Sequence, residues 1–361
     1  MTKTTKQGKF RTLLRRFTLA RIVLTLVALG AYAPLQVAQA AEPALTIRLT
    51  SSISRAGNVP LPVEPSCYTP FVLPNVRLKD HSLFTFAGWY YLVAIRIDLP
   101  EPTNRGELSF AYARTRDFCT WEELATPLRH GAPGDADEAY IWAPHVIQVG
   151  DTFYMYYTGV NQQIAQTIML ATSTNPADPQ SWQKQGVIFR PDHPDAVYPG
   201  PASWSDCRDP MVLTYNGHYY LYYTGVNRSG PIVGVAEAAQ PAGPWRDLGA
   251  VYQATEVGSI PESPYVVEQN GLFYLFYNAA GGPRKGTWWR WGVSPFGPWQ
   301  PPVKVNIGWA LDFYHDQTGW LVSYLIGPRN SIGIDQVRWQ QANGLAMPQI
   351  GVQVYLPLVI H

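Results

Sequence analysis

CRDPMVLTYNGHYYLYYTG, residues 207–225, carries the clearest indication of the fold in this sequence. It consists of a short apolar run, the turn dipeptide Asn216-Gly217 and a second run that is rich in tyrosine. Asn-Gly between two runs of β-branched and aromatic residues is typical of a β-hairpin. A charged pair, Arg208-Asp209, stands at the start of this apolar hairpin, and its position requires an explanation.

The same plan of apolar run, glycine turn and aromatic run occurs four more times. The other copies are KDHSLFTFAGWYYLVAI (79–95), WAPHVIQVGDTFYMYYTG (142–159), ESPYVVEQNGLFYLFYNA (262–279) and ALDFYHDQTGWLVSYLI (310–326). The glycines assigned to the five turns are Gly88, Gly150, Gly217, Gly271 and Gly319, at spacings of 62, 67, 54 and 48 residues. Self-similarity at such periods indicates a repeat architecture.

Further strand-like pieces follow the hairpins and complete each unit. They include IMLATST (168–174), VIF (187–189), IVGVAEA (232–238) and GAVY (249–252), and GPW recurs at 243–245 and 297–299 before the last strand of two units. Four strands in each of five units predict an all-β protein with a five-bladed β-propeller. A two-sheet sandwich explains the strands but not the fivefold plan. Residues 46–50 or 351–360 are candidates for a strand that closes the ring.

The first 40 residues predict a signal peptide. Seven basic residues precede the first acid, Glu42, and the apolar run 22–33 is too short to span a bilayer as a helix. Ala38-Gln39-Ala40 offers small residues for cleavage, although a membrane anchor is an alternative. We therefore expect a secreted or periplasmic protein with a propeller domain at 41–345 and a tail at 346–361 that could be a ring-closing strand.

Charge and cysteine content narrow the functional classes. Without the seven basic leader residues, 20 of the 27 Lys+Arg remain against 26 Asp+Glu. Such a mildly acidic chain has no field to attract nucleic acid and suits neutral ligands such as sugars. The three cysteines, Cys67, Cys119 and Cys207, allow one disulfide of undetermined pairing and one free thiol. No zinc motif occurs, and neither a metal nor a cofactor is predicted.

Three acids stand at the beginnings of the repeated hairpins: Asp80, Asp209 and Glu262. The first strand of each propeller blade lies beside the central axis, so we expect these positions to converge at one pole. Carboxylates brought together repel, which raises the pKa of one of them and is common where acid–base chemistry occurs. Glycoside cleavage needs such a set of carboxylates. Taken singly, each acid could equally be a turn or loop residue.

Arg208-Asp209-Pro210, Glu262-Ser263-Pro264 and Trp142-Ala143-Pro144, with their hairpins, resemble glycoside hydrolase family 43, which shares its five-bladed propeller with family 32. The resemblance covers about residues 70–340. It implies inversion at the anomeric carbon, with Asp80 as general base, Glu262 as general acid and Asp209 as the residue that tunes the acid. Arabinofuranosides, arabinans and xylosides are the implied substrates.

A family 32 likeness would instead imply a retaining fructosidase with Asp80 as nucleophile. Lys79-Asp80-His81-Ser82 departs from the first motif of family 32. The Arg-Asp-Pro segment, however, fits family 32 at least as well as family 43. Many family 43 members carry a histidine at the start of the fifth blade, near a calcium ion or water cluster. Trp309-Ala310 stands there in this chain, so calcium is not predicted. A propeller that binds carbohydrate without cleaving it is the third hypothesis.

Aromatic and polar residues near the expected pole are candidates for contacts with an oligo- or polysaccharide substrate, because sugar rings stack on aromatic side chains. Residues 190–207 contain four prolines and predict a stiff loop over the catalytic face. For His145 a core role is equally compatible with the sequence. For RKGTWWRW (284–291) blade packing is the alternative, and the segment is assigned to the second strand region of unit four. The candidate substrate-binding residues are Trp142, His145, Trp204, Arg208 and Arg290.

Overall fold

The computed structural model describes residues 68–103, 106–161, 164–198, 206–254, 260–280, 285–327, 331–342 and 345–350. All of them belong to the unit Arg55–His361. The expected signal peptide and both candidate ring-closing segments, 46–50 and 351–360, lie outside the described residues. In the described part of the chain, no helix is long and apolar enough to cross a membrane.

The described elements are 21 β-strands and one short 3-10 helix, Pro179–Ser181. The strands are β1 Phe71–Val72, β2 Val76–Phe86, β3 Trp89–Asp98, β4 Ser109–Thr115, β5 Glu122–Leu124, β6 Tyr140–Val149, β7 Thr152–Asn161, β8 Ile164–Ser173, β9 Gln183–Phe189, β10 Cys207–Tyr215, β11 His218–Asn227, β12 Gly230–Ala238, β13 Arg246–Gln253, β14 Ile260–Gln269, β15 Leu272–Ala280, β16 Gly286–Gly292, β17 Val303–Val305, β18 Trp309–Asp316, β19 Gly319–Ile326, β20 Ser331–Ala342 and β21 Leu345–Ile350.

The strands form five antiparallel sheets that are arranged as the blades of a propeller. Four sheets run in simple order, β2-β3-β4-β5, β6-β7-β8-β9, β10-β11-β12-β13 and β14-β15-β16-β17. The fifth contains β18, β19 and β20 together with β1 and β21. The first strand of each blade contacts the first strand of the next, and the circle closes where β18 contacts β2. The predicted five-bladed β-propeller is confirmed.

The repeated sequence forms the hairpin between the first two strands of each blade. At the turns of blades one, three and four, two consecutive residues have positive φ: Ala87-Gly88, Asn216-Gly217 and Asn270-Gly271. This pair of values is typical of the type I′ turn, which matches the twist of the flanking strands. The assignment of Gly319 to a turn is wrong, because Gly319 pairs with Asp316 and begins β19. The assignment of residues 284–291 to the second strand region of unit four is also wrong, since Gly286–Gly292 forms the third strand of blade four.

The ring is closed by residues from both sides of the propeller sequence. β20 pairs through Ser331 and Ile332 with β1, the first described strand. Its other half, from Val337 onward, pairs with β21. The outer position of blade five is therefore shared between β1 and β21, and β1 joins the first described residues to the last blade.

Apolar side chains are buried mainly between blades. Among the described residues, five clusters of buried hydrophobic side chains lie one at each junction between neighbouring blades. Both faces of each sheet are covered in this way, which explains why the hairpins are apolar nearly throughout. Tyrosine hydroxyls add polar links across the junctions: Tyr156 donates to the carbonyl of Pro241 at 2.7 Å, and Tyr222 to that of Pro295 at 2.9 Å.

The described cysteines have different states. Cys119 is in a disulfide, and Cys207 is a buried free thiol whose pKa is raised by burial. Cys67 lies outside the described residues. Cys207, at the start of β10, packs at the junction between blades two and three.

β1 provides a matched test of ring closure, because its two side chains point to opposite faces. Phe71 is 2% exposed and packs between blades five and one, whereas Val72 is 56% exposed. We expect Phe71→Ala to lower the free energy of unfolding by about 3–5 kcal/mol, the usual cost of removing a buried aromatic ring. Val72→Ala should change it by less than about 0.5 kcal/mol. Urea denaturation of both variants measures the difference, and equal effects would contradict the assigned role of β1.

Candidate active site

Each first strand contains a two-residue bulge close to the same pole of the propeller. In every blade the register between the first and second strands shifts so that two residues face a single residue of the partner strand. The bulged pairs are Lys79-Asp80, Ala143-Pro144, Asp209-Pro210, Ser263-Pro264 and Ala310-Leu311. Bulges of this kind bend a strand and redirect its side chains, and they are common beside active sites.

The backbone of the bulge restricts which residues fit. In blades two to five the first bulge residue has a positive φ, at 44° for Ala143, 57° for Asp209, 50° for Ser263 and 52° for Ala310. Aspartate tolerates this left-handed region better than most residues, because its short polar side chain can bond locally. The carboxylate at the start of the hairpin in residues 207–225 therefore stands at the first bulge position of blade three.

The residue opposite each bulge explains the tyrosine-rich second strands. It is a buried tyrosine in four blades: Tyr157, Tyr223, Tyr277 and Tyr324. The hydroxyl donates to a buried aspartate in three of them, Tyr157 to Asp137, Tyr223 to Asp247 and Tyr324 to Asp335. Each bulge thus packs against a large ring whose polar end is satisfied in the interior.

The second strand of one blade also holds the bulge of the next. Thr158 Oγ1 accepts a hydrogen bond from the backbone N–H of Asp209 at 3.0 Å, and Asn278 Oδ1 accepts one from Ala310 at 2.7 Å. Thr224 Oγ1 lies 3.1 Å from the carbonyl oxygen of Pro261. These side chains are buried, so the bonds replace water for backbone groups that a bulge leaves unpaired.

Asp80, Asp209 and Glu262 line one cavity of about 440 Å³ at this pole, as the sequence indicates. They do not occupy equivalent positions, however. Glu262 is the residue before its bulge, Asp209 is the first bulge residue and Asp80 is the second. The expected equivalence is wrong because each step along a bulge turns the side chain in a new direction, and three blades use three different steps to reach the same cavity.

Hydrogen bonds from Ser263 connect two of the three carboxylates, those of Asp80 and Asp209. Ser263 Oγ donates to Asp80 Oδ1 at 2.8 Å, and the backbone N–H of Ser263 donates to Asp209 Oδ2 at 3.0 Å. Thr224 Oγ1 donates to Asp209 Oδ2 at 3.0 Å. Asp80 and Asp209 are therefore held in fixed relation by a single residue of blade four.

Arg208 is a cation that Asp209 and Glu262 share. Its guanidinium donates to Glu262 Oε1 at 3.0 Å, lies 3.6 Å from Asp209 Oδ2 and also pairs with Asp206. The charges of these acids raise the pKa of Arg208, although its burial acts in the opposite direction. The guanidinium is thus a fixed positive charge between two of the three candidate catalytic groups.

Asp209 is the carboxyl whose ionisation is most disturbed. Burial raises the pKa of Asp209 from 3.8 to about 7, and the charges of Asp80 and Glu262 act in the same direction. Arg208 and the N–H of Ser263 oppose the increase. Asp209 therefore gains its proton close to neutral pH, and the net charge of the cavity changes in that range.

The other predicted site residues have different placements. Trp142 and Arg208 line the cavity. His145 is 6% exposed and lies in the narrow axial channel below, where its Nδ1 is 3.8 Å from Asp312 Oδ1. This position favours the core role for His145 over the substrate contact. Trp204 lies outside the described residues.

Arg290 is placed in the interior and not at the cavity. It is 4% exposed, its Nε donates to Tyr277 Oη at 3.3 Å, and its guanidinium lies 4.5 Å from the ring centre of Tyr252. In blade four Arg290 thus takes the place of the aspartate that bonds the corresponding tyrosine in blades two, three and five. The expected contact between Arg290 and a substrate is therefore replaced by a role in the interior of blade four.

Several cavity residues were missed by the sequence interpretation. Lys79, Gln166, Asp206, Ser263 and Trp309 also line the cavity. Lys79 pairs with the buried carboxylate of Glu107, which fixes the bulge of blade one. Ser263 belongs to the motif Glu262-Ser263-Pro264, so its place beside a candidate catalytic acid could have indicated a position at the cavity. Gln166 comes from a third strand and had no such signal.

The axial channel below the cavity contains His81, His145 and Asp312. Asp312 accepts hydrogen bonds from the N–H of Leu83 at 2.8 Å and from Ser82 Oγ at 3.3 Å, which connects blade five to blade one. Burial lowers the pKa of His81, against the charges of Asp312 and Asp80. Within the described ranges, no cluster of three or more His, Cys, Asp or Glu side chains is arranged to hold a metal ion.

Comparisons with known proteins agree with this geometry. Residues 81–238 match the glycosyl hydrolases family 32 N-terminal domain. A thermostable family-43 glycoside hydrolase of known structure has the same fold, with a TM-score of 0.57 and 18% identity over 79% of this chain and 96% of the other. The family match covers less than half of the chain; together with the propeller fold it supports the superfamily that glycoside hydrolase families 43 and 32 share.

Two curated relatives match this chain over only part of their length. The probable arabinan endo-1,5-alpha-L-arabinosidase B of Aspergillus fumigatus is 26% identical over 202 residues, 50% of this chain and 47% of the relative. A bifunctional fructosyltransferase of Allium cepa, the 6(G)-fructosyltransferase/2,1-fructan:2,1-fructan 1-fructosyltransferase, is 28% identical over 142 residues, 38% of this chain and 22% of the relative. The chain thus spans about half of the first relative and less of the second.

Because burial raises the pKa of Asp209, the pH dependence of protein stability tests that burial. A carboxyl with a folded-state pKa near 7 and an ordinary value of 3.8 destabilises the folded state increasingly as pH rises between these values. Asp209→Asn removes this cost, and asparagine tolerates the positive φ. We expect the melting temperature of the variant, relative to that of the unsubstituted protein, to rise as pH increases from about 4 to 7 and to level off above. A difference that does not depend on pH would contradict the assignment.

Proposed function

We propose that this protein is a secreted glycoside hydrolase that cleaves arabinofuranosyl or xylosyl linkages of plant polysaccharide with inversion. The observation that carries the proposal is the convergence of Asp80, Asp209 and Glu262, from blades one, three and four, on one cavity. Paired carboxylates that flank a sugar are the common requirement of glycoside cleavage. The partial likeness to an arabinan-degrading enzyme supports the substrate class.

In the proposed reaction Asp80 takes a proton from water while the water oxygen attacks the anomeric carbon. Glu262 donates a proton to the glycosidic oxygen, and the bond between that oxygen and the anomeric carbon breaks. Asp209 tunes Glu262 through Arg208, because both carboxylates lie beside the same guanidinium. Trp142 and Trp309 on the cavity wall offer apolar surface for the face of the sugar ring.

The charge of the cavity agrees with a neutral substrate. Among the described residues of its wall, four carboxyl side chains, Asp80, Asp206, Asp209 and Glu262, stand against the cations Lys79 and Arg208. Lys79 is already paired with Glu107, and Arg208 with three of these acids. An anionic sugar would meet excess negative charge, whereas arabinose and xylose units carry none. We expect no nucleic-acid partner for the same reason.

Substitution of the two proposed catalytic acids tests their roles. Asp80→Asn and Glu262→Gln should each lower kcat on arabinan or aryl arabinofuranosides by at least about 100-fold, since general acid–base groups contribute 10²–10⁴-fold. Asp98→Asn, which changes an exposed carboxylate of blade one, is the matched control and should retain full activity. Circular dichroism and melting curves establish that the variants remain folded. Near-normal rates in both active-site variants would show that the roles are misassigned.

A second candidate is a retaining β-fructosidase of the family 32 type. The match to the family 32 N-terminal domain and the partial likeness to a fructosyltransferase favour it. The family match begins at residue 81, so Asp80 lies just before it. In this alternative Asp80 attacks the anomeric carbon directly, and a covalent intermediate is hydrolysed in a second step.

Product stereochemistry separates the candidates. Proton NMR during hydrolysis of arabino-, xylo- and fructo-oligosaccharides should show that the first product has the anomeric configuration opposite to the substrate. Retention on a fructoside would establish the second candidate in place of the first. Sugar binding without turnover on any of these substrates would instead identify a carbohydrate-binding propeller.

Secretion is proposed on the basis of the basic leader, its apolar run and the disulfide at Cys119, since structural disulfides persist mainly in oxidising compartments. When the full chain is expressed in a bacterial host, we expect it in the periplasm or medium with Ala41 as its first residue. A matched chain that lacks residues 1–40 should remain in the cytoplasm. Recovery of the full chain in the cytoplasm with residues 1–40 intact would refute the proposal.

A further inference from the structure

Ser263 contacts two acids from two other blades. It lies at the first bulge position of blade four, with its hydroxyl 2.8 Å from Asp80 Oδ1 in blade one and its N–H 3.0 Å from Asp209 Oδ2 in blade three. Blades four and one are not neighbours in the ring, so the bond between Ser263 and Asp80 reaches across the axial end of the cavity.

The backbone of Ser263 is held in place independently of its hydroxyl. Its φ of 50° belongs to the left-handed region, and the ring of Pro264 fixes the φ of the position that follows. On the other side, the carbonyl of Pro261 lies 3.1 Å from Thr224 Oγ1 of blade three. The hydroxyl is therefore presented to Asp80 from a position that is already fixed, which favours a defined direction for the hydrogen bond.

The equivalent positions show that the fold does not require this hydroxyl. The first bulge residue is Ala143 in blade two and Ala310 in blade five, with φ values of 44° and 52°. Alanine is thus compatible with this conformation in the same propeller. The serine in blade four occurs where a carboxylate of another blade lies within hydrogen-bond distance of the side chain.

We propose that Ser263 is a positioning residue for Asp80. Its hydroxyl binds Oδ1 and so turns Oδ2 toward the water that is to be activated, and it stabilises the ionised carboxylate that a base needs. The inference rests on the proposed role of Asp80. It applies equally if Asp80 is a nucleophile, because a nucleophilic carboxylate must also be ionised and aimed.

The surroundings of Asp80 explain why a neutral donor is useful there. Negative charge around the cavity and its axial channel comes from Asp209 on β10, Glu262 on β14 and Asp312 on β18. The cations Arg208 on β10 and Lys79 on β2 are paired with other acids, and His81 follows Asp80 on β2. A hydroxyl hydrogen bond favours the carboxylate without a new charge in the cavity.

Ser263→Ala and Ser263→Gly test the proposal. Both remove the hydroxyl and keep the N–H bond to Asp209, while glycine relieves the strain of the positive φ and alanine does not. We expect each variant to lower kcat about 10-fold with KM changed less than about twofold, since hydrogen bonds to charged groups contribute about this much. The acidic limb of the pH–rate profile should move to higher pH by about one unit in both.

Ser294→Ala, which removes another hydroxyl from blade four, is the matched control and should leave rate and pH profile unchanged. Unlike effects of the alanine and glycine variants would indicate a backbone role and overturn the proposal. An acidic limb that stays in place in both would also overturn it, whatever the loss of rate.

A titration that needs no activity separates this inference from the proposed function. Carboxyl-carbon NMR of protein labelled with ¹³C-aspartate, with Asp80→Asn to assign the signal, reports the titration midpoint of Asp80 directly. We expect the midpoint to lie at higher pH in Ser263→Ala than in the unsubstituted protein. An equal midpoint refutes the role of Ser263. Absence of hydrolysis with a shifted midpoint would refute only the proposed function.

Discussion

The bulge in each inner strand shapes both the packing between blades and the cavity at the pole. It places two residues opposite one, and in four blades it holds a non-glycine residue at positive φ, a conformation that costs about 1–2 kcal/mol. In these four blades a buried tyrosine fills the space opposite the bulge, and Thr158 and Asn278 of the preceding blades bond the bulge backbone of blades three and five. Because these hydrogen bonds cross between blades, the bulges of blades three and five depend on the blade that precedes each of them.

The same bulges determine what the cavity can do. They present Glu262, Asp209 and Asp80 from three successive steps of the bent strand, so that acids from three blades reach one space. The corresponding first bulge positions of blades two and five hold alanine. The fold therefore supplies the geometry, while the identity of a few residues in three blades supplies the chemistry.

Hydrogen bonding and charge then distinguish the three acids. Asp209 is buried, receives hydrogen bonds from Ser263 and Thr224 and has a pKa near 7. Glu262 is paired with Arg208, whereas Asp80 receives a hydroxyl hydrogen bond. Different environments for chemically similar groups are what allow one site to contain both a proton donor and a proton acceptor at one pH.

The five repeated hairpins, the all-β propeller and the meeting of three acids at one pole could be predicted from the sequence, because strand periodicity and turn chemistry are local properties that the repeat aligns. The tertiary structure was needed for the other features. It placed Arg290 and His145 in the interior, joined β1 to the last blade and brought Ser263 to Asp80 across the cavity. These outcomes depend on the direction in which each bulge turns a side chain and on which blades meet there, and neither is encoded within a single stretch of sequence.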